Sequence, residues 1–598
     1  MLPKQQRPSV HQDAHNMMAN YLAALGPLIT VLQLLAAESQ KEDIIVTVRQ
    51  GRLKGLRFES VRGQELLAFL GIPYARPPVA ELRFKGPQPP EPWRDTREAI
   101  VEGNVCPQRD MMSGAFMGDE NCLFLNVFTN KIPECPEQLK AVMVWIHGGS
   151  YKGGSGTSMV YGPDHILTED VVLVTINYRL GLLGFLSLCE VGVPGNNGLK
   201  DQVMALRWVQ NNIAQFGGDP NRVTIFGESS GGASVHYHLL SPMSKGLFHR
   251  AIAQSGSALD PWAYAEPDFL RWKAFTVGER MNCSAAGPHE LLRCLQEAGA
   301  NTIVQSTVGQ VFSTSETIVP LRPTREDESQ SDEEVFLSGK PEDLIASGKF
   351  HNVPYITGVN SREAIIYAED MQSIPSFWED SKQHMKSVIA DLLGMQNTSQ
   401  ANEIAEMALS YYAGDEILTN KTLTGKHIDL FSDLGFVLGA DRALKMQTLL
   451  SAAPVYSYLF SFDGGLGLAK LAFHTQLEGV SHADELGYLF HTAISPSVAE
   501  ESDEMKVLLK MVKMWTNFAK TGDPTPDCDS LLGVKWDPTT KAEHVYLSID
   551  KEVQMRRDLF KERMQFWEDM LGPYIKPYNS TNFCCNKTCS YYVPKDFS

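Results

Sequence analysis

The stretch RVTIFGESSGG, residues 222–232, decides the architecture. Arg222 to Phe226 reads as a short apolar strand. Gly227-Glu228-Ser229-Ser230-Gly231 follows without a linker, and a segment able to form a helix comes next. A serine at so sharp a strand-to-helix turn has its hydroxyl pushed into the open, and the flanking glycines tolerate the strained backbone and close packing. The helix N-terminus behind it favours developing negative charge. A plain Gly/Ser-rich turn is the alternative, and the strand before it and helix after it argue against that.

The segments upstream fit the same layout. AVMVWI (141–146) and VVLVTI (171–176) are continuous apolar runs, as expected of strands buried on both faces of a parallel sheet. Between residues 201 and 216, Leu206, Val209, Ile213 and Phe216 recur at helical spacing, and Gly217, Gly218, Asp219 and Pro220 stop that helix. Strand, helix, strand in this order is a βαβ unit, which implies a parallel sheet with covering helices. β-like runs at 44–48 and 66–70 precede it, and VYSYLF (455–460) reads as a late core strand. Residues 260–350 and 370–450 are more polar and largely helical, and read as insertions that wall a pocket. The acid-rich run 325–334 reads as a solvated loop.

A length of 598 residues sets a soft prior of about four domains. No Ser/Gly linker, repeat or long charge run divides the chain, so the reading is one body over 41–575, a leader over 1–40 and a Cys-bearing extension over 576–598. The ordinary apolar share, 43%, excludes collagen, coiled coil and a wholly disordered chain. The net charge of −18 argues against a nucleic-acid partner, which needs a basic face.

Two features point to secretion. From Ala19 to Ala37 no residue is charged, while Lys4 and Arg7 precede the stretch and Glu38 follows it. This reads as a signal peptide with a long n-region, Met17 or Met18 being alternative starts. An N-terminal anchor helix is the rival, because about 17–20 residues just span a bilayer. The second feature is five N-x-S/T sequons, at Asn282, Asn397, Asn420, Asn579 and Asn586. The final YYVPKDFS lacks the apolar tail of a GPI signal, so no stable membrane anchor is expected. Of ten cysteines, Cys106 and Cys122 can close a short loop, and so can Cys283 and Cys294. Cys135, Cys189, Cys528, Cys584, Cys585 and Cys589 allow about fifteen pairings, and sequence does not choose among them. No repeated C-x-x-C suggests zinc, and neither metal nor cofactor is expected.

A serine nucleophile needs donors for the oxyanion it generates. His147-Gly148-Gly149-Ser150 follows the strand at 141–146, and its glycines let backbone N–H groups approach a substrate carbonyl. The Ser230 N–H adds to them, and one such donor is worth about 3–4 kcal/mol in a transition state. Acid and histidine follow the serine in chain order. His236 and His238 lie in the helix after the elbow and read as packing residues. His482 stands in a small-residue turn beyond the late strand and is the candidate base. VPYIT (353–357) reads as a strand and GVNSRE (358–363) as the loop after it, which makes Glu363 the candidate acid. Glu369 and Asp370 are its rivals. The local reading leaves open an ordinary loop carboxylate at Glu363.

These residues, with FLGIPYARPP (69–78), ENCLFLNVF (120–128), NYRLGLLGF (177–185), GNNGLKDQ (195–202), LLSPMSKGLF (239–248) and SHADELGYLF (481–490), resemble the type-B carboxylesterases, the α/β-hydrolase family that includes the cholinesterases. The likeness covers about residues 43–570, and the wording of 481–490 is most like arthropod carboxylesterases. It implies an α/β-hydrolase fold: a mostly parallel central sheet covered by helices, with large helical insertions forming a cap. It further implies Ser229 as nucleophile, Glu363 as acid and His482 as base. Gly148, Gly149 and Ser230 match the oxyanion positions, and Cys106–Cys122 and Cys283–Cys294 match the family's disulfides. Small carboxylic esters are the implied substrates. The family also holds adhesion proteins, which typically lose a triad residue; this chain keeps all three. A dedicated hormone or pheromone esterase, or an ester-sequestering scavenger, is the rival within the enzymes.

Two positions depart from the pattern. Ser230 replaces the usual Ala, with little change expected because its backbone N–H is unaffected. Ala364 replaces the usual Gly after the acid. In cholinesterases a Trp for the quaternary ammonium lies in the loop closed by the first disulfide. Here PQRDMMSGAFMGDEN (107–121) has no Trp and one aromatic, Phe116, so neutral, apolar esters are expected rather than choline esters.

Overall fold

A computed structural model describes residues 43–110, 113–132, 139–188, 191–283, 286–307, 321–330, 333–368, 386, 399–413, 425–527 and 529–573. The chain divides into two units, residues 1–45 and 46–598, and of the first only residues 43–45 are described.

Apolar runs form the centre of the second unit as strands: β1 (Gly51–Glu59), β2 (Glu65–Pro73), β3 (Phe124–Thr129), β4 (Lys140–Ile146), β5 (Val171–Ile176), β6 (Gly218–Glu228), β7 (Arg250–Gln254), β8 (Tyr355–Asn360), β9 (Val455–Phe460), β10 (Val545–Ile549) and β11 (Gln554–Arg557). Their order across the sheet is β1-β2-β3-β5-β4-β6-β7-β8-β9-β10-β11. From β5 to β10 every neighbour is parallel. β1 to β3 join that block antiparallel, as does β11 at the other edge.

Both faces of the parallel block are covered, which is why its strands are apolar at every position rather than at alternate ones. β5, β8 and β9 are buried throughout. On β9, Tyr458 and Phe460 enter a cluster with Trp145, Trp515 and Trp536. Leu459, on the opposite face, joins one with Phe431, Leu434 and Trp567. The first cluster is closed by the helix Asp503–Thr521, capped by the Ser502 hydroxyl, which accepts from the Met505 N–H at 3.2 Å. The second is closed by the helical insertions Ser399–Ala413 and Gly425–Leu450 together with the helix Lys561–Leu571.

Three elements extend beyond their sequence-based bounds. The helix expected between 201 and 216 begins at Asn197. Its first turn is hidden from a hydrophobic reading because it buries polar side chains: Asp201 pairs with Arg179 at 2.6 Å, and Lys200 with Glu326 at 2.9 Å. The strand expected at 222–226 spans Gly218–Glu228, with a register irregularity between Gly218 and Val223. The strand expected at 353–357 is Tyr355–Asn360, because it follows β9 residue for residue from Val455 to Phe460. Glu363 accordingly opens a short 3₁₀ helix, Glu363–Tyr367, rather than lying in a loop. The expectations for 44–48, 66–70, 141–146, 171–176 and 455–460 all fall on strands.

The helix Ser230–Leu240 is buried at every residue and presses directly on β4. A Cβ on Gly231 would lie 2.0 Å from the Ile146 carbonyl oxygen, and one on Gly227 2.5 Å from the same atom. Both contacts are with backbone, so no side-chain movement relieves them. Gly231→Ala is expected to destabilise the protein by about 1–3 kcal/mol or more. Thermal melting checks this; a melting temperature within about 1 °C of the parent would mean the helix has room to shift.

Candidate active site

The strand β6 ends in Glu228, and Ser229 makes the turn into the next helix with φ 57° and ψ −125°. That backbone is held on both sides: the Ser229 N–H donates to the Gln254 carbonyl at 2.9 Å, and its carbonyl accepts from the Ala233 N–H at 2.8 Å. Side chains at the C-terminal ends of β4, β6, β7 and β8 converge here, the usual place for chemistry in an open parallel sheet.

His482 arrives from a turn after β9. The Asp484 carboxylate closes that turn by accepting from the Ser481 N–H at 2.7 Å, and the His482 N–H donates to the Glu363 carbonyl at 3.1 Å. His482 Nδ1 lies 2.7 Å from Glu363 Oε2. The other Glu363 oxygen accepts from the Ser255 hydroxyl and from the Asn360 N–H, both at 2.6 Å. Of the candidate acids, Glu363 is the one brought to His482; Glu369 and Asp370 lie outside the described residues. The Phe436 ring packs on the imidazole with centroids 4.4 Å apart.

The second imidazole nitrogen, Nε2, lies 2.9 Å from Glu228 Oε1. Burial disfavours charge on this ring, but the Glu228 charge foremost, together with the hydrogen-bonded Glu363, outweighs it. The imidazole pKa is held well above the ordinary histidine value. A third carboxyl, Glu485, is pushed up to about 8, mainly by burial and then by the charges of Glu228 and Glu363. It accepts from Gln254 Nε2 at 3.0 Å and Asn360 Nδ2 at 2.6 Å, and the Trp515 indole N–H donates to Gln254 at 3.0 Å.

The HGGS loop lies against the elbow. A Cβ on Gly148 would sit 2.7 Å from the Glu228 carbonyl oxygen and 3.0 Å from Ser229 Cβ, so only glycine fits there. Gly149, Ser150 and Tyr151 follow with φ of 108°, 55° and 55°. His147 stacks on Tyr178, and burial lowers its pKa to about 4, which keeps it neutral. The Ser230 hydroxyl, expected to be of little consequence, accepts from the Tyr151 N–H at 3.3 Å.

His236 and His238 are buried beneath this region; His236 meets Ser257, and His238 meets Ser244 and Gln202, so both pack as expected. The structure joins Cys106 to Cys122 and Cys283 to Cys294. Asn282 is exposed beside the second bridge. Asn397, Asn420, Asn579 and Asn586 lie outside the described residues, as do Cys135, Cys189, Cys528, Cys584, Cys585 and Cys589. Among the described residues no group of His, Cys, Asp and Glu is arranged to hold a metal ion, and no helix is long and apolar enough to cross a membrane.

Glu228, Ser255, Asn360, Phe436 and Glu485 were not singled out from sequence. Glu228 stands inside the elbow motif and Glu485 three residues after His482, so position was the one signal that could have found either. Ser255 and Asn360 carry only the signal of lying at strand ends.

A mostly parallel sheet with a serine elbow at its C-terminal edge defines an α/β-hydrolase. The chain belongs to the carboxylesterase family, which residues 42–567 match, and it is a carboxylic ester hydrolase. The esterase FE4 of Myzus persicae is 35% identical over 555 residues, which cover 91% of this chain and 95% of its own. The juvenile hormone esterase of Tribolium castaneum is 34% identical, over 81% of this chain and 84% of its own. The crystal structure of juvenile hormone esterase from Manduca sexta, with OTFP covalently attached, superposes with a TM-score of 0.79 at 29% identity, covering 89% of this chain and all of that one.

An imidazole held between two carboxylates stays protonated to higher pH, and only its neutral form takes a proton from a serine. Activity is therefore expected to rise with pH through a pKa above the ordinary histidine range. Glu228→Gln removes one anion, lowers that pKa and moves the acidic limb of the kcat/KM profile to lower pH. A limb that does not move would show that Glu228 does not act on His482.

Proposed function

We propose that the protein is a secreted serine carboxylesterase that cleaves neutral, apolar carboxylic esters through an acyl-enzyme. Ser229 Oγ attacks the ester carbonyl carbon while His482 Nε2 takes its proton. The carbonyl electron pair moves to oxygen, where the N–H groups of Gly148, Gly149 and Ser230 receive it. The tetrahedral species collapses, and the leaving alkoxide takes the proton back from His482. Water then gives a proton to His482 and attacks the acyl carbon, and Ser229 departs with that proton. Glu363 holds the imidazole in orientation and stabilises the imidazolium as it forms.

The observation that carries the reading is the 2.7 Å contact between His482 Nδ1 and a fully buried Glu363, set beside the strained Ser229 turn. Secretion is supported by the uncharged run at 19–37 and by the exposed Asn282, which would carry a glycan. A dedicated hormone esterase is the second reading, favoured by the likeness to two juvenile hormone esterases.

An organophosphate is expected to label Ser229 alone, read by mass spectrometry of the peptide that holds it. Ser229→Ala should lose at least about ten-thousand-fold in kcat. Labelling at another serine, or substantial turnover by the variant, would overturn the assignment.

The Cys106–Cys122 loop bears on substrate choice. Phe116 is half-buried in a two-residue strand, Phe116–Met117, paired with Gln108–Arg109, and no Trp is present in the loop. A cation–π contact to a quaternary ammonium is worth about 0.5–2 kcal/mol. Without it, kcat/KM for a choline ester is expected to be no greater than for its uncharged isostere. A preference above about tenfold, or roughly 1.4 kcal/mol, would contradict the neutral-pocket reading.

A further inference from the structure

The Ser230 side chain has no role in the scheme above, which uses only its backbone N–H. It is fully buried at the first position of the helix Ser230–Leu240, next to the loop that carries the other two oxyanion donors. Its oxygen accepts from the Tyr151 N–H at 3.3 Å. At the other end of the loop the Tyr178 hydroxyl donates to the His147 carbonyl at 2.8 Å. The Ser230 hydroxyl thus ties the Tyr151 end of the 147–151 loop directly.

That loop needs restraint. Gly149, Ser150 and Tyr151 have φ of 108°, 55° and 55°, and left-handed backbone is unfavourable for the serine and the tyrosine. Other ties act on its far side: Lys152 and Gly153 both donate to the Gly149 carbonyl at 3.0 Å, and Gly181 donates to the Tyr151 carbonyl at 2.7 Å. None of these joins the loop to the helix bearing the nucleophile. An alanine at 230 would leave the buried Tyr151 N–H without this acceptor.

We propose that the Ser230 hydroxyl is a positioning group that fixes the 147–151 loop against the nucleophile helix. One residue would then supply an oxyanion donor from its backbone and hold the other two donors in register from its side chain. The inference rests on the reading of Gly148, Gly149 and Ser230 as the oxyanion site. Donors placed loosely lose most of their worth in the transition state but little in ground-state binding.

The test uses Ser230→Ala and Tyr178→Phe, with active sites counted by organophosphate titration. For Ser230→Ala, kcat per titrated site on a neutral ester is expected to fall about tenfold or more, with KM changed less than about twofold. Affinity for a trifluoromethyl ketone, whose hemiketal places an oxyanion in the site, should fall in parallel. Tyr178→Phe, which removes the separate tie at the His147 end of the loop, should act in the same direction. If Ser230→Ala does not fold, Ser230→Gly, which removes the same hydroxyl, decides the matter by the same kinetics and ketone affinity. Unchanged kcat and ketone affinity per titrated site, whatever happens to melting temperature, would overturn the proposal. Failure of the parent protein to label at Ser229 would instead sink the serine-esterase reading itself.

Discussion

The backbone at Ser229 constrains everything near it. Its left-handed φ of 57° with ψ −125° costs about 1–3 kcal/mol, and such a conformation persists only where the surroundings over-determine it. Here the determinants are backbone contacts from three directions. β7 accepts the Ser229 N–H, the following helix donates to its carbonyl, and Gly256 approaches so closely that a Cβ there would lie 2.0 Å from that carbonyl oxygen. These demands require β4, β6 and β7 to be neighbours in one parallel sheet. Once they are, the HGGS loop after β4 and the segment after β7 have no place to go except on either side of the serine.

The electrostatics follow from burial. Glu228, Glu363, Glu485 and His482 occupy one water-poor volume, and charges there are costly unless paired or neutralised. The arrangement uses both solutions. Glu363 and Glu228 flank the imidazole and raise its pKa, while Glu485, with a pKa raised to about 8, is held in its neutral form at pH 7. Its amide partners lead outward: Gln254 receives the indole N–H of Trp515, which is fully buried in the large aromatic cluster under the sheet. The polar site and the apolar core therefore share a member, and loosening one disturbs the other.

The helical insertion at 425–450 joins the site through an irregularity. Between Gly425–Ser432 and Leu438–Leu450 the chain forms a π turn, Asp433–Val437. The Trp262 indole N–H donates to the Gly435 carbonyl within it at 2.6 Å, and the same turn aims Phe436 at His482. Wide turns of this kind often mark functional positions, and here one turns an insertion into part of the wall around His482.

What the sequence determined by itself is what short-range chemistry encodes. Apolar runs of strand length announced β4, β5 and β9, the glycines of residues 227–232 announced the elbow, and chain order pointed to Glu363 and His482. The strands and the elbow depend on neighbours within a dozen residues, where periodicity, turn chemistry and backbone strain act directly, whereas the choice of Glu363 over an ordinary loop carboxylate came from the family resemblance. The first turn of the helix at Asn197 escaped that reading because it buries ion pairs instead of apolar side chains. The tertiary structure alone decided which carboxylate meets which nitrogen of His482, that Ser255 and Asn360 hold Glu363, that Phe436 covers the imidazole and that the Ser230 hydroxyl reaches Tyr151. Apart from the Asn360–Glu363 bond, which spans three residues, those contacts join segments tens of residues to more than a hundred residues apart. Their geometry is set by the order of strands across the sheet and by the depth at which each strand ends, and no single segment carries that information.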